Sequence, residues 1–384
     1  MDTNASAFRI PLYLTYALML FGYTSIGAAR VAFSLYALHL GASPTAVGLL
    51  VGTFYVFPVL LSWPIGRYSD RVGSRGLLLV GAAVGACAML VPFFVGSLAA
   101  LFAGAALMGI TFTVYNVILP NLVGLLSAPA QRVRNFSNSS VVGGMSMVAG
   151  PLVAGVAIDL VGHAYACLSL IFFSAVCAAI VFAGGRRLPG GSARKTASAS
   201  VRGLIADREM ARILATSSLV QVGQDLWQFY IPVQGYAVGL SASAIGSILS
   251  TFAAASFVVR LLMPALVKRL GEERVLRYSF YFAGVGFLLV PFFESAAALA
   301  LLSFLFGLGI GCGQPITTVL IFSRSPEGRS GETFGLRQTV NNTLRVAAPP
   351  AFGVIATAFG LSPVFWLSAL MMGGAGLLAR PKRT

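Results

Sequence analysis

Apolar runs separated by short polar breaks fill this chain from end to end. They predict spans at 11–40, 44–66, 75–97, 98–126, 138–161, 163–184, 212–237, 243–267, 275–293, 296–322, 333–358 and 361–379. About twenty residues of helix suffice to cross the hydrocarbon core of a bilayer. Within each run the apolar residues are continuous rather than alternating, which argues against a membrane barrel. The pattern predicts an all-α membrane protein with 12 transmembrane helices. Its sharpest polar break is GRYSDRVGSR at 66–75, where Arg67, Asp70, Arg71 and Arg75 fall between two strongly apolar spans.

Composition agrees with the pattern. Of 384 residues, 57% are hydrophobic and 10% charged, whereas a soluble domain carries roughly a quarter charged residues. A net charge of +15 raises the question of a nucleic-acid partner, and the placement of the charges answers it. With the N-terminus inside, cytoplasmic segments hold 23 of the 26 basic residues, Arg337 counted among them, and the opposite loops hold none. That asymmetry sets the orientation of helical membrane proteins. The expected partner is the lipid bilayer of the inner (plasma) membrane, with both termini cytoplasmic, and no nucleic acid is needed. Cys87, Cys167, Cys177 and Cys312 all lie within spans and read as packing residues. The first apolar run continues into a full-length span, so no cleavable signal is expected.

The chain is written twice. At an offset of 198 residues Gly48 meets Gly246, Thr53-Phe54 meets Thr251-Phe252, and Asp70-Arg71-Val72-Gly73 meets Lys268-Arg269-Leu270-Gly271. Asn116 meets Gln314, Pro151 meets Pro349, Gly155 meets Gly353 and Gly162 meets Gly360. Chance hydrophobic similarity would match Leu and Val rather than turns and prolines. Two pseudo-symmetric six-helix bundles are expected, 1–184 and 212–384, joined by a basic, Gly- and Ser-rich cytoplasmic linker at 185–211.

On these residues the chain resembles the major facilitator superfamily over essentially its whole length. The family's loop between spans two and three reads G-x-x-x-D-[RK]-x-G-[RK]-[RK]; here it is Gly66, Asp70, Arg71, Gly73 and Arg75, with Ser74 departing from a basic residue. The resemblance implies a conformational latch on the cytoplasmic side, weaker in the second copy, where Lys268 replaces the acid. A second likeness, Gly150, Pro151, Ala154 and Gly155 in span five, is similar to the helix-packing signature of 12-span proton-coupled exporters. One departure counts against export: such proteins carry an arginine in span four, where this chain has Ala105, four residues before Gly109. The resemblance implies a monomeric secondary transporter without cofactor or metal. It would move a small solute by alternating access.

Charges inside spans are the candidate chemistry. Arg30, Asp225, Arg260 and Arg345 lie within spans 1, 7, 8 and 11, and each basic one costs about 2.5–3.5 kcal/mol at the bilayer centre on insertion scales. They are expected to face water or a partner. Asp225, the one acid deep in a span, is the candidate proton carrier. Gln338, Asn341, Asn342 and Arg345 follow i, i+3, i+4, i+7 spacing and predict a polar face on span 11. Tyr23, Asn116, Trp227, Gln228 and Gln314 complete the predicted substrate pocket with Arg30, Gln338, Asn341 and Arg345, and Tyr115, Tyr230 and Gln234 lie nearby. Arginines without a matching set of acids favour an anionic or zwitterionic cargo. Proton-coupled export is the leading expectation and uptake of an organic anion by proton symport the alternative.

Other classes fit poorly. HExxH and GxSxG motifs are absent, and His39 and His163 lie far apart at outer span ends. GLGIGCG at 307–313 falls within an apolar run with no strand before it, so it reads as close packing or flexing of span ten, not a nucleotide loop.

Overall fold

A computed structural model describes residues 3–127, 131–189, 208–324 and 330–379; among these, the side chains of residues 3–9, 63, 67, 70, 71, 132–134, 137, 322–324 and 330–336 are not described. The described residues are helical throughout, with no strand. We number the helices α1 (Thr3–His39), α2 (Pro44–Val72), α3 (Ser74–Phe94), α4 (Leu98–Leu125), α5 (Arg132–Gly184), α6 (Arg208–Ala237), α7 (Ala242–Leu270), α8 (Glu272–Leu289), α9 (Ala296–Ile310), α10 (Gly313–Arg324), α11 (Ser330–Phe359) and α12 (Leu361–Leu378). The segment 190–207, which holds most of the expected linker, lies outside the described residues.

The turns carry the duplication into three dimensions. Among the described residues six glycines have positive φ: Gly41 and Gly239 at 78° and 77°, Gly73 and Gly271 at 89° and 81°, Gly162 and Gly360 at 77° and 85°. Each pair is separated by the repeat offset. A side chain at such a backbone conformation clashes, so glycine there fixes where one helix stops and the next begins. Serine caps repeat as well: Ser97 accepts the amide of Ala100 at the start of α4, and Ser295 that of Ala298 at the start of α9.

Two differences from the predicted spans have local causes. Spans five and six form one continuous element, α5, whose backbone leaves helical geometry at Gly162 (φ 77°, ψ 168°). Span ten is instead broken into α9 and α10 at Gly311 and Cys312. Arg260 Nε donates to the carbonyl of Gly311 (3.0 Å) and Cys312 Sγ to that of Val259 (3.4 Å). The arginine thereby satisfies a carbonyl at the negative end of α9. Arg260 is a structural residue of the break.

The chain divides into two compact units. In the first (Met1–Ala42, Thr53–Lys195 and Ser241–Gly246), α1 lies against α5 and α4, and α3 against both. The start of α7 sits on α5, where a Cβ on Gly150 would meet the backbone of Gly27 and Ala28, and one on Gly155 would run into the carbonyl of Ala242. Asp159 accepts the amides of Ala242 (3.0 Å) and Ser243 (2.8 Å), capping α7 with a carboxylate. His39 and His163, far apart in sequence, stack at 4.3 Å between ring centroids.

In the second unit (Ser43–Gly52, Thr196–Leu240 and Ser247–Thr384), α6 packs on α11, α10 and α12, and α8 on α12 and α9. Here the start of α2 sits on α11, and Thr357 Oγ1 accepts the amide of Thr45 at 3.2 Å. Thr357 is the repeat counterpart of Asp159, so the same cap is neutral in one copy and charged in the other.

Hydropathy separates the helices into two kinds. Among the described residues nine helical stretches are long and apolar enough to cross a membrane, Asn138–Arg187 containing the Gly162 turn and serving as two spans. The remaining two predicted spans, α6 and α11, are too polar to qualify by composition. They carry the ionised pair described below. The small-residue contact of α5 sets a stability test: Gly155→Val should lower the melting temperature in detergent by an amount corresponding to about 1–3 kcal/mol. Gly143→Ala, in the same helix with open space around its Cβ, should leave it unchanged or raise it.

Candidate functional site

The polar residues of α6 fall on one side of the helix because TSSLVQVGQDLWQ places Ser218, Gln221 and Asp225 at i, i+3, i+7. Opposite them on α11 stand Arg337, Asn341 and Arg345, spaced by four. Arg345 donates from Nε to Asp225 Oδ2 at 2.6 Å and from Nη2 to Asp225 Oδ1 at 3.1 Å. This fork-to-fork pairing is the strongest geometry available to a guanidinium and a carboxylate. The Asp225 side chain is 4% exposed and that of Arg345 13%. Gln221 Nε2 donates a third bond to Asp225 Oδ2 at 3.1 Å.

A second cation enters the same network. Arg337, counted in sequence among the cytoplasmic loop charges, is 3% exposed inside α11. It donates to Ser217 Oγ (2.6 Å), Thr318 Oγ1 (2.7 Å), Thr317 Oγ1 (3.2 Å) and Gln314 Oε1 (2.6 Å). Gln314, in the first turn of α10, donates from Nε2 to Gln221 Oε1 at 2.5 Å. Ser218 donates to Asn341 Oδ1 at 2.8 Å. Sequence reasoning missed Arg337, Gln221, Ser217 and Ser218. The spacing of Arg337, Asn341 and Arg345 was the available signal.

The predicted pocket residues differ in burial. Asn341 and Asn342 are buried and Arg345 partly so, while Gln338 is exposed; the buried face of α11 runs through Arg337. Trp227 is completely buried, stacked on Phe306 at 4.0 Å and bonded through Nε1 to Ser303 Oγ at 3.2 Å. It belongs to the apolar core of the second unit. Tyr230 is also buried, its hydroxyl donating to the Pro349 carbonyl at 3.3 Å. Gln228 is half-buried, and Gln224 Nε2 beside Asp225 is buried with no hydrogen-bond partner among the described residues.

In the first unit Arg30 donates from Nη2 to Tyr55 Oη, and its guanidinium carbon lies 5.0 Å from the Tyr55 ring centroid. Tyr55 is itself buried and meets Phe112 edge to face, so a rigid aromatic wall positions the cation. Tyr23 is half-buried and Asn116 exposed. The buried Tyr115 hydroxyl has no hydrogen-bond partner among the described residues. Of the expected latch, Gly73 starts α3 with positive φ and the stem of Arg75 packs on Gly185. The side chains of Asp70 and Arg71 lie outside the described residues, and Gly66 is half-buried. Among the described residues no cluster of three His, Cys, Asp or Glu side chains is placed to hold a metal.

Duplicated helical spans, with the buried pair of Asp225 and Arg345 on the two most polar helices, describe a polytopic helical membrane protein. The Major Facilitator Superfamily model matches residues 12–238 and 228–384, and the chain belongs to that family. It is therefore a multi-pass membrane transporter and not an enzyme. It is 24% identical over 324 residues to the class D tetracycline resistance protein of Salmonella ordonez, covering 80% of this chain and 79% of that protein. To the multidrug resistance protein MdtG of Salmonella paratyphi A it is 23% identical over 335 residues, covering 84% and 81%. In fold it is similar to a variant of the nucleoside transporter NupG, with TM-score 0.83, 12% identity, and 96% and 98% of the two chains covered. A POT family transporter in complex with 5-aminolevulinic acid gives TM-score 0.81 at 12% identity, over 95% and 94%.

The geometry sets an energetic test. Arg345→Ala strands a buried carboxylate and should cost about 3–5 kcal/mol of stability. The double variant Asp225→Ala/Arg345→Ala should be more stable than that single one. Thermal unfolding of the purified variants in one detergent provides the cycle.

Proposed function

We propose that this chain exports a small organic solute in exchange for protons by alternating access, with Asp225 as proton carrier and Arg345 as its counter-charge. The buried pair of Asp225 and Arg345 carries this reading. Two charges so placed in a membrane protein are expensive, and the natural use of a carboxylate there is to gain and lose a proton. The tetracycline resistance and multidrug resistance proteins among its relatives support the outward direction.

The pair also suggests how cargo charge and proton exchange are linked. A zwitterion inserting between the partners keeps Asp225 ionised against its cationic group and Arg345 occupied by its anionic group. Proton and cargo then exclude one another, which is the condition for antiport. A purely anionic cargo takes Arg345 alone and leaves Asp225 to be neutralised by a proton, so the two travel together. We therefore assign a zwitterionic cargo to the export reading and an organic anion to the symport reading. Within the second unit, Gln228 and Asn341 supply further polar contacts in this scheme.

Gly66, Asp70, Arg71, Gly73 and Arg75 serve as the cytoplasmic latch, and Gly150, Pro151 and Gly155 as the close helix contact of span five. The halves 1–184 and 212–384, linked by 185–211, are the functional bundles, with both termini cytoplasmic and the protein working as a monomer in the inner membrane.

The test uses inside-out vesicles loaded with a pH-sensitive dye and energised to an acidic interior. Addition of tetracycline, or of another zwitterionic amphiphile, should release protons from vesicles carrying the wild type and fail to do so with Asp225→Asn. Undiminished release by Asp225→Asn would overturn the assignment. Protons accompanying an added organic anion in the same direction would establish the symport reading instead.

A further inference from the structure

The ion pair is one end of a longer chain of side chains, and that chain has a direction. Arg337 Nη2 donates to Gln314 Oε1, Gln314 Nε2 to Gln221 Oε1, and Gln221 Nε2 to Asp225 Oδ2. A glutamine amide offers donors on one side and an acceptor on the other. With a cation at one end and a carboxylate at the other, both amides are held in the same sense and each bond polarises the next. Arg337 has no acceptor atom, so this sense cannot be reversed.

The cation end of the chain grips a helix that starts at a break. Arg337 holds α10 through Gln314, Thr317 and Thr318, and α10 begins just beyond the interruption at Gly311 and Cys312. Arg260 fixes the near side of that break through the Gly311 carbonyl. The Arg337 contacts stand on its far side.

We propose that Gln221 and Gln314 are positioning residues that carry the charge state of Asp225 to Arg337, and so set how firmly Arg337 holds the half-helix α10. The proposal rests on the reading of Asp225 as proton carrier. When Asp225 takes a proton, the bond from Gln221 loses its charge assistance. Should Gln221 turn to accept the new carboxylic O–H, its Nε2 meets Gln314 Nε2, donor against donor. Should Gln314 turn in answer, its Nε2 meets the Arg337 guanidinium. With the amides unturned the bond from Gln221 to a protonated Asp225 is weaker, and with either one turned a donor faces a donor. In each case Arg337 holds Gln314 Oε1 less firmly and α10 is loosened, while the Arg337 bonds to the Gln314 carbonyl, Thr317 and Thr318 remain.

Arg345 faces Asp225 from α11, with Arg337 reaching it through the amides. The described side chains of α10, and all of α9 and α12, include no titratable group. Those of α8 are Glu272, Glu273, Arg274, Arg277, Tyr278 and Tyr281, with Glu273 bonded to Arg212 at 3.5 Å.

The experiment needs no cargo. Hydrogen–deuterium exchange of the peptide at 313–321 is followed across pH in full-length protein in nanodiscs, corrected for the intrinsic pH dependence of amide exchange. In the same samples the infrared C=O band of protonated Asp225, identified by its loss in Asp225→Asn, is titrated. Protection of α10 should fall about tenfold, the worth of one charge-assisted bond, at the midpoint where the band appears. Gln221→Leu and Gln314→Leu should each abolish that fall while the band still titrates, and the double variant should match either single one. Single variants that raise exchange at every pH yet keep the fall would show a merely structural role and overturn the relay. A wild-type band that titrates without any change in α10 would overturn the relay and leave the Asp225 reading standing. If no such band titrates, both fall together.

Discussion

A charge that cannot leave the hydrocarbon must find a partner there, and Asp225 with Arg345 is the pair on which the second unit is organised. Their fork explains why α6 and α11 carry polar faces that would be unaffordable against lipid. It explains why Ser218 and Asn341 are bonded across the same contact. Buried ion pairs add little net stability compared with well-packed apolar residues of similar volume. Packing alone would be served as well by leucine.

The two copies of the repeat keep one scaffold and divide the chemistry. Turn glycines and capping serines recur at the same offset with nearly the same backbone angles, because stopping and starting a helix is a local problem with few solutions. Elsewhere the copies have diverged. Gly27 stands where the second copy has Asp225, and Arg30 where it has Gln228. Asn116 is exposed on α4, whereas its counterpart Gln314 joins the amide chain in the first turn of α10. Unbroken α4 corresponds to the broken pair α9 and α10. The buried ion pair and its amide partners thus stand in one copy, beside the interruption between α9 and α10.

The fold was legible because it is written in local terms: apolar run length, glycine turns and a repeat. The site was legible wherever a charge stood alone among apolar residues, which is how Asp225, Arg345 and Arg30 came to notice. What sequence hid were the partners. Arg337 lies near a span end, and a basic residue there reads as a topology signal until burial is known. Gln221 and Tyr55 are ordinary residue types whose importance arises from the atoms they touch. Trp227 shows the converse, since ring size does not distinguish a core side chain from a pocket wall. The two histidines stack because the Gly162 turn returns the chain to the end of α1, a tertiary event that no spacing announces.

The central claim is that Asp225, deep in the second unit, takes a proton from water. The most direct measurement is the charge displacement after a pH jump on proteoliposomes adsorbed to a solid-supported membrane, with no solute added. The wild type should give a transient current as the proton moves part of the way into the bilayer, and Asp225→Asn should give none. An equal transient from Asp225→Asn would contradict the account.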